Sequence, residues 1–313
     1  MRLTLTNASE KLVTRVVDVA EAGTDGTWAY TLSSSDVRIL GQGELEVSVQ
    51  LVDARGNRSE AQTQTLSVDT TPPVLLAPVL VADSDTGVLA DGMTKESAVG
   101  LQFQASDATS FAVFVFDEAD FGPSGYASTN AALDAVKAGL ATANQVEVTP
   151  QAVDGKAGFY SLDAVLAEGK QFVVVKAADA AGNAVVRGST FVLDSAAPTA
   201  SVVTTQTQTV NGAQASVSYT VTFNEAVAGE LTQDDLTAVG GTVAEVTRVS
   251  PKVYSVTVTP QADYVGDLTL AVKAGVVTDL AGNANVASST SDALTVDTVV
   301  PEAPVVTLQT DSS

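Results

Sequence analysis

Apolar and polar residues alternate with a period of two along much of this chain. In the segments 45–51, 217–223 and 254–258 this alternation places apolar side chains on one face of a strand and hydroxyl or charged side chains on the other. Turn pairs such as Asn211-Gly212 fall between such segments. Many short strands separated by turns at this spacing predict antiparallel β-sandwiches.

One motif, Asp-x-x-Gly-Asn, occurs three times, at 53–57, 179–183 and 279–283. A Val-Asp or Leu-Asp pair ends 15 to 18 residues after the start of each copy, and prolines follow it closely. Repetition at the length of a domain predicts a string of similar domains rather than a solenoid of short repeats. The aspartates of the closing pairs are Asp69, Asp194 and Asp297.

The proline-containing segments after these pairs are expected to be stiff linkers, because proline fixes its own φ and restricts the residue before it. They divide the chain into three domains and the start of a fourth. The predicted divisions are an N-terminally truncated sandwich at 1–70, a sandwich at 71–196, a third sandwich at 197–298, and a linker with the first strand of a following repeat at 299–313.

The second domain contains a segment with a helical pattern. Ser128 precedes an alanine-rich stretch and can cap a helix, so we predict a helical insertion near 128–141. Segments 36–40 and 163–166 are each expected to form a short turn. Trp28, the single tryptophan, is expected to fill the core of the first sandwich.

Composition narrows the possible chemistry. The 313 residues carry a formal net charge of −22, which repels nucleic acid and anionic membranes and attracts cations. The chain has no Cys and no His, which excludes the usual zinc, haem and thiol sites and any His-dependent triad. An acidic chain with 5% aromatic residues can be disordered, but the regular alternation and a mean hydropathy of +0.21 argue against disorder.

No apolar run reaches the length of a membrane span, and the first residues do not form a signal peptide. The alternation starts at once after Met1, so we expect the sequence to begin inside a domain and to be a fragment of a longer chain.

Several motifs resemble those of a known family. Residues 221–227, 234–237 and 277–283, together with the Val-Asp-Thr-x-x-Pro endings, resemble the bacterial Ig-like (BIg) domains of giant secreted adhesins. The acidic segment 83–87 is similar to a loop near the start of many such repeats. These adhesins belong to Gram-negative bacteria and are often exported by type I secretion, as RTX-type proteins.

The resemblance implies an all-β fold of tandem Ig-like sandwiches in an elongated array. It also implies a stalk or extender role in cell adhesion or biofilm formation, with Ca²⁺ making the array rigid. The implied location is secreted or on the bacterial cell surface. The implied partners are calcium ions, neighbouring repeats of the same polypeptide and a host or environmental surface ligand, for a monomeric chain without nucleic acid or membrane insertion.

The strand order of an Ig-type sandwich predicts where the ions would lie. The loop after the first strand and the end of the last strand share one end of a domain, and the loop before the last strand lies at the other end. Carboxylate and amide oxygens are suitable ligands for Ca²⁺. The second joint would therefore gather Asp83, Asp85, Asp91 and Asp194 with Asp279 and Asn283.

The same logic predicts a weaker site at the first joint, formed by Asp69, Asp107, Asp179 and Asn183. An alternative interpretation of each Asp-x-x-Gly-Asn motif is that its side chains only stabilise a turn, since Asp and Asn commonly bond to their own backbone.

Two other functions remain open at this stage. The insertion at 121–143 forms a glycan or peptide site if Phe121 and Tyr126 offer a stacking surface, or these rings simply pack the helix onto the sandwich. Catalysis by paired carboxylates is the other possibility. No motif places such a pair in a cleft, so we expect no enzymatic activity.

Overall fold

The computed structural model describes residues 1–16, 29–121, 128–141, 144–146, 149–212 and 216–307. It is all-β with two short helices, which confirms the predicted fold class. Each sheet is built from strands of one of three segments, which we call the first, second and third units. Residues 69–73 form the first joint and residues 194–199 form the second joint. Trp28 and Tyr126 lie outside the described residues.

The described part of the first unit is one four-stranded antiparallel sheet with a helix packed on it. Residues 17–28 of the sandwich predicted at 1–70 lie outside the described residues. The sheet order is β2-β1-β3-β4. Its elements are β1 (Arg2–Asn7), β2 (Leu12–Val16), α1 (Ser34–Leu40), β3 (Gly43–Gln50) and β4 (Gln62–Val68).

Helix α1 stands where the sequence predicts a short turn at 36–40, and that prediction is wrong. Ser33 caps the helix by accepting a hydrogen bond from the Asp36 backbone, and the Asp36 carboxylate accepts one in return from the Ser33 backbone. This carboxylate is fully buried, forms an ion pair with Arg15 and accepts a hydrogen bond from the Tyr30 hydroxyl at 2.9 Å. The buried network replaces a turn with a helix anchored to the sheet.

These contacts hold the pKa of Asp36 below its ordinary value, chiefly through the Ser33 hydroxyl and backbone bonds. A carboxyl group whose pKa is lower in the folded state stabilises the unit above its unfolded pKa of about 3.9. This contribution to stability is lost as pH falls through the pKa of the folded state. We therefore expect the first unit to lose stability below about pH 4. Urea titrations at stepped pH, followed by Trp28 fluorescence, measure this.

The variant Asp36→Asn tests the assignment, with the exposed Glu44→Gln as its control. The Asn variant should show a smaller loss of stability between pH 5 and pH 3 than the control. Equal pH slopes in both variants would show that Asp36 does not carry the effect.

The second unit is a sandwich of two five-stranded sheets. Their strands pair antiparallel, except for one parallel pair at the edge of one sheet. One sheet has the order β10-β9-β13-β14-β7, and the other has β11-β12-β8-β5 with β6 also on β8. Its elements are β5 (Val74–Leu75), β6 (Val79–Leu80), β7 (Met93–Thr94), β8 (Ala98–Ser106), β9 (Ser110–Asp117), α2 (Thr129–Lys137), β10 (Gln145–Val146), β11 (Gln151–Ala152), β12 (Phe159–Val165), β13 (Gly169–Ala178) and β14 (Ala184–Leu193).

Helix α2 forms a third layer on this sandwich, as the predicted insertion near 128–141. Ser128 caps it by accepting a hydrogen bond from the Ala131 backbone. Its buried Ala132 and Val136 pack on the outer face of β9, β13 and β14. The turn predicted at 163–166 is wrong, because β12 runs through Val165 and pairs with β8 along its length.

The third unit is a sandwich of two four-stranded sheets, β15-β17-β21-β20 and β16-β24-β22-β19, with a short β18-β23 pair. Its core includes Tyr219, Phe223 and Tyr254, all almost fully buried. Its strands are β15 (Ala200–Thr204), β16 (Val210–Asn211), β17 (Val217–Phe223), β18 (Val227–Ala228), β19 (Leu236–Val239), β20 (Gly241–Ser250), β21 (Val253–Pro260), β22 (Val265–Val272), β23 (Thr278–Asp279) and β24 (Leu294–Asp297).

The sequence predicts a new strand within 299–313, and the structure describes only part of this segment. Residues 299–307 form no strand, and the residues beyond them lie outside the described part. Among the described residues, no helix is long and apolar enough to cross a membrane.

Candidate metal centre

The three Asp-x-x-Gly-Asn motifs fold into the same loop. In the third copy, Asp279 accepts hydrogen bonds from the backbone and side-chain nitrogens of Asn283, both at 2.8 Å. Asp53 and Asp179 make the equivalent bonds in their own copies. The glycine of each copy has a φ of +91°, a conformation that favours Gly strongly. The motif therefore forms a turn in all three places.

Each of the later two loops also bonds to the unit before it. The side-chain amide of Asn183 donates to the backbone carbonyl of Asp69 at 3.1 Å. The amide of Asn283 donates in the same way to the carbonyl of Asp194 at 2.7 Å. The structure thus brings together two residue pairs that the sequence predicts at the joints, and it joins them through amide nitrogens.

Three carboxylates converge at the second joint. One oxygen from each of Asp194, Glu225 and Asp279 lies within 4.8 Å of the other two. Asp194 follows the last strand of the second unit, whereas Glu225 and Asp279 belong to the third unit. The β18–β23 pair sets Val227 opposite Asp279, which brings Glu225 close to that aspartate. We call this group the joint triad.

The joint triad is electrostatically strained without a cation. Burial raises the pKa of Glu225, and the neighbouring charges of Asp194 and Asp279 raise it further. A hydrogen bond from the Asn224 side chain and the charge of Lys252 oppose this shift in the pKa. Asp279 is 1% exposed, and the other two are partly buried, so water screens their repulsion incompletely. Three hard oxygen donors of this kind suit Ca²⁺, with backbone carbonyls or water completing its six to eight ligands.

The acidic loop of the second unit does not join the triad, although the sequence places it there. Asp83 is exposed, and Asp91 accepts a hydrogen bond from the Met93 backbone. Asp85 and Asp91 both line a cleft of about 510 Å³. The Oδ2 atom of Asp85 accepts a bond from the Ala90 backbone at 2.6 Å, while its Oδ1 atom is buried without a partner among the described residues.

Comparison with known proteins identifies the fold around the joint triad. Residues 194–296 match the family model described as a bacterial Ig-like domain. The third unit is therefore similar to a bacterial Ig-like domain. The match begins at Asp194, so it spans every member of the triad. A comparison with curated proteins finds no match.

Solved structures similar to this chain include tandem arrays of Ig-like domains. A tetra-tandem repeat from the extending region of a large adhesion protein has 23% identity and a TM-score of 0.35, covering 95% of this chain and 66% of its own. A 1.5-MDa bacterial ice-binding adhesin has 16% identity and a TM-score of 0.36, covering 96% and 86%. The titin fragment I67–I69 has 10% identity and a TM-score of 0.33, covering 94% and 87%. Similarities this low do not bear on function.

The first joint lacks an equivalent of the triad. Asp179 is buried, whereas Asp69 and Asp107 are exposed. Within the described ranges, no three carboxylates lie as close together here as at the second joint. Of the predicted set of Asp69, Asp107, Asp179 and Asn183, the described residues show one hydrogen bond across the joint, from Asn183 to the Asp69 carbonyl.

Sequence reasoning missed Glu225, although a signal for it was present. Asp107, one of the residues predicted at the first joint, directly follows the long strand β8 of the second unit. Glu225 stands just after β17, the corresponding strand of the third unit. Carrying the position of Asp107 over to the next unit would have identified Glu225.

Phe121, whose ring the alternative ligand site would use for stacking, is partly buried and packed against the core of the protein. The Phe121 ring packs against Phe116 and Phe172, with centroid distances of 5.7 and 5.6 Å. It is part of the core between helix α2 and the Ig-like sandwich. This packing gives Phe121 a structural role, and Tyr126 lies outside the described residues.

Proposed function

We propose that this chain is a structural segment of a large extracellular bacterial adhesin of the RTX type, in which Ca²⁺ binds at the second joint. The observation that carries the proposal is the joint triad, because its three carboxylates come from two successive units and meet within 4.8 Å. A cation bound there contacts both units at once. Its binding free energy therefore favours the arrangement in which the units are held together.

The donor set favours Ca²⁺ over other cations. All three side chains offer carboxylate oxygens, and the chain contains no His or Cys to select a transition metal. Ca²⁺ tolerates irregular geometry and mixed ligands, whereas Mg²⁺ requires a near-ideal octahedron. The ion would also remove the repulsion that raises the pKa of Glu225.

Asp85 offers a second position for a cation, separate from the triad. A buried carboxylate oxygen without a hydrogen-bond partner is costly, and a bound cation would satisfy it. Asp91 lines the same cleft, so two of the acidic residues predicted from the sequence would serve this ion.

An extender role is consistent with the rest of the chain. Tandem Ig-like units joined by short proline-containing linkers place binding functions far from a surface without a catalytic site of their own. Calcium ions and the neighbouring repeats are then the main partners, and the protein acts outside the cell in adhesion or biofilm formation. The acidic surface keeps the chain soluble and monomeric.

Isothermal titration with Ca²⁺ tests the proposal on the full chain. Glu225→Gln should weaken one tight site roughly tenfold or more, because it removes one of three charges next to the ion. Asp85→Asn should remove a different equivalent of Ca²⁺ and leave the triad site intact. The matched control is Asp234→Asn, an exposed carboxylate of the same unit.

The proposal makes the affinity depend on the triad rather than on overall charge. If Glu225→Gln and Asp234→Asn bind Ca²⁺ with the same stoichiometry and affinity, the ions are held only by the diffuse negative surface. That result would overturn the site.

A further inference from the structure

A row of three carbonyls in the third unit receives hydrogen bonds from the second unit. The Leu280 carbonyl accepts from the Val88 backbone at 3.0 Å. The next carbonyl, of Ala281, accepts from the Thr86 hydroxyl at 2.6 Å, and that of Gly282 accepts from the Lys95 ammonium at 3.1 Å. We call this set of contacts the clasp. It satisfies three successive backbone groups without any metal.

Two glycines allow the clasp to close. Gly87 lies so close to the third unit that an added Cβ atom would stand 2.2 Å from the Leu280 oxygen. A Cβ atom on Gly282 would stand 2.9 Å from the Gly87 nitrogen. The obstructing atoms are backbone, so they cannot rotate away. Ala281, between them, is fully buried.

The first joint has the same loop but no clasp. Gly182 corresponds to Gly282, yet a Cβ atom there would meet nothing within 4 Å. Ala181, the counterpart of Ala281, is exposed. Among the described residues, the single hydrogen bond between this loop and the first unit is that from Asn183 to the Asp69 carbonyl.

We infer that the two joints differ in mechanical character. The second joint is held by direct protein contacts and keeps its angle when metal is removed, and the first joint is a hinge. The inference concerns contacts that need no ion, so it goes beyond the proposed calcium site. Ca²⁺ at the joint triad then becomes essential for a fixed angle only when the clasp is broken.

Distance measurements by pulsed electron paramagnetic resonance test this on the full chain, which has no native cysteine to interfere with labelling. Spin labels at Glu44→Cys and Asp154→Cys report on the first joint, and labels at Val165→Cys and Ser289→Cys report on the second. All four positions are exposed. Each pair is measured in Ca²⁺ and after chelation with EDTA.

We expect the second pair to give an equally narrow distance distribution in both conditions. The first pair should give a broader distribution than the second in both conditions, because the first joint has neither the clasp nor the triad. Gly87→Ala should make the distance distribution of the second pair at least twofold broader in EDTA. Adding Ca²⁺ to this variant should restore the narrow distribution. Gly139→Ala is the matched control, because Gly139 shares the φ of +71° but has no atom within 4 Å of its added Cβ.

A second pair whose distribution in EDTA is as broad as that of the first pair, without any substitution, would overturn the inference. So would Gly87→Ala and Gly139→Ala giving the same distributions. These outcomes can be distinguished from those of the Ca²⁺ titration. The distance measurements can contradict the clasp while the triad still binds Ca²⁺, and the titration can contradict the Ca²⁺ site while the second joint stays narrow in EDTA. Circular dichroism of both alanine variants confirms that the units remain folded.

Discussion

Replacing Asn285 by alanine is expected to lower the free energy of unfolding of the third unit by about 3–5 kcal/mol. This buried side chain accepts hydrogen bonds from the Val276 and Val277 backbones at 2.9 and 3.1 Å. Its amide donates to the carbonyls of Lys273 and Val286 at 2.8 and 2.9 Å. Alanine removes the partner of all four groups, and an unpaired group that is buried, such as the Val277 amide, costs about 1–3 kcal/mol.

Hydrogen exchange measured by mass spectrometry suits this prediction, because it follows each unit of the chain separately. Asn285→Asp keeps the acceptor and loses the donors, so it should fall between the wild type and the alanine variant. The exposed Ser289→Ala should have no effect beyond about 0.5 kcal/mol. A loss below about 1 kcal/mol for Asn285→Ala would mean that water replaces the side chain fully.

Replacing Phe172 by alanine should destabilise the second unit by about 3–5 kcal/mol. This ring is 1% exposed in the core between β13 and helix α2. It meets Phe121 edge-on with a centroid distance of 5.6 Å. Its removal leaves a cavity at the base of the inserted layer, so the amides of α2 should exchange faster together with those of the sandwich.

The control is Val165→Ala on the same unit, where the side chain is 78% exposed and the change should stay within about 0.5 kcal/mol. Urea unfolding and hydrogen exchange measure both variants. If Phe172→Ala loosened α2 alone and left the sandwich protected, the insertion would be an independent element, and a role for it in ligand binding would regain support.

Period-two alternation was a reliable guide to strands with one buried face. The predicted segment 217–223 coincides with β17, and 254–258 falls inside β21. Residues 45–51 overrun β3 by a single position. In such strands each side chain's environment follows from local sequence, since the two faces differ along the whole length.

Where a strand is buried on both faces, alternation fails and the tertiary context decides. Strand β13 carries the continuous apolar run 172–175, with alternate residues facing the sandwich core and helix α2. Such a run indicates that the outer face of the strand is also covered. The predicted helix is the element that covers this face. Likewise the Ser33-x-x-Asp36 pattern is a capping box that marks α1, whereas the spacing of Asp36 and Leu40 alone led to a turn.

The position of the candidate site at the second joint was predictable from the sequence, but the full set of its residues was not. The strand order alone predicted that Asp194 and Asp279 meet at one joint, because it determines which loops lie at the same end of a sandwich. It could not show that the acidic loop turns Asp85 into a cleft of its own. Nor could it show Gly87 against Leu280, since that contact joins residues almost two hundred positions apart and depends on the angle between two units.

The amide bridge from each Asp-x-x-Gly-Asn loop to the preceding unit uses a main-chain oxygen, of Asp69 in one case and of Asp194 in the other. An acceptor of this kind is present whatever side chain occupies the position. A gene that duplicates, deletes or reorders such modules therefore keeps this connection without any compensating substitution. Length can then vary freely in evolution, while the glycine-lined fit beside it must be rebuilt at each new boundary.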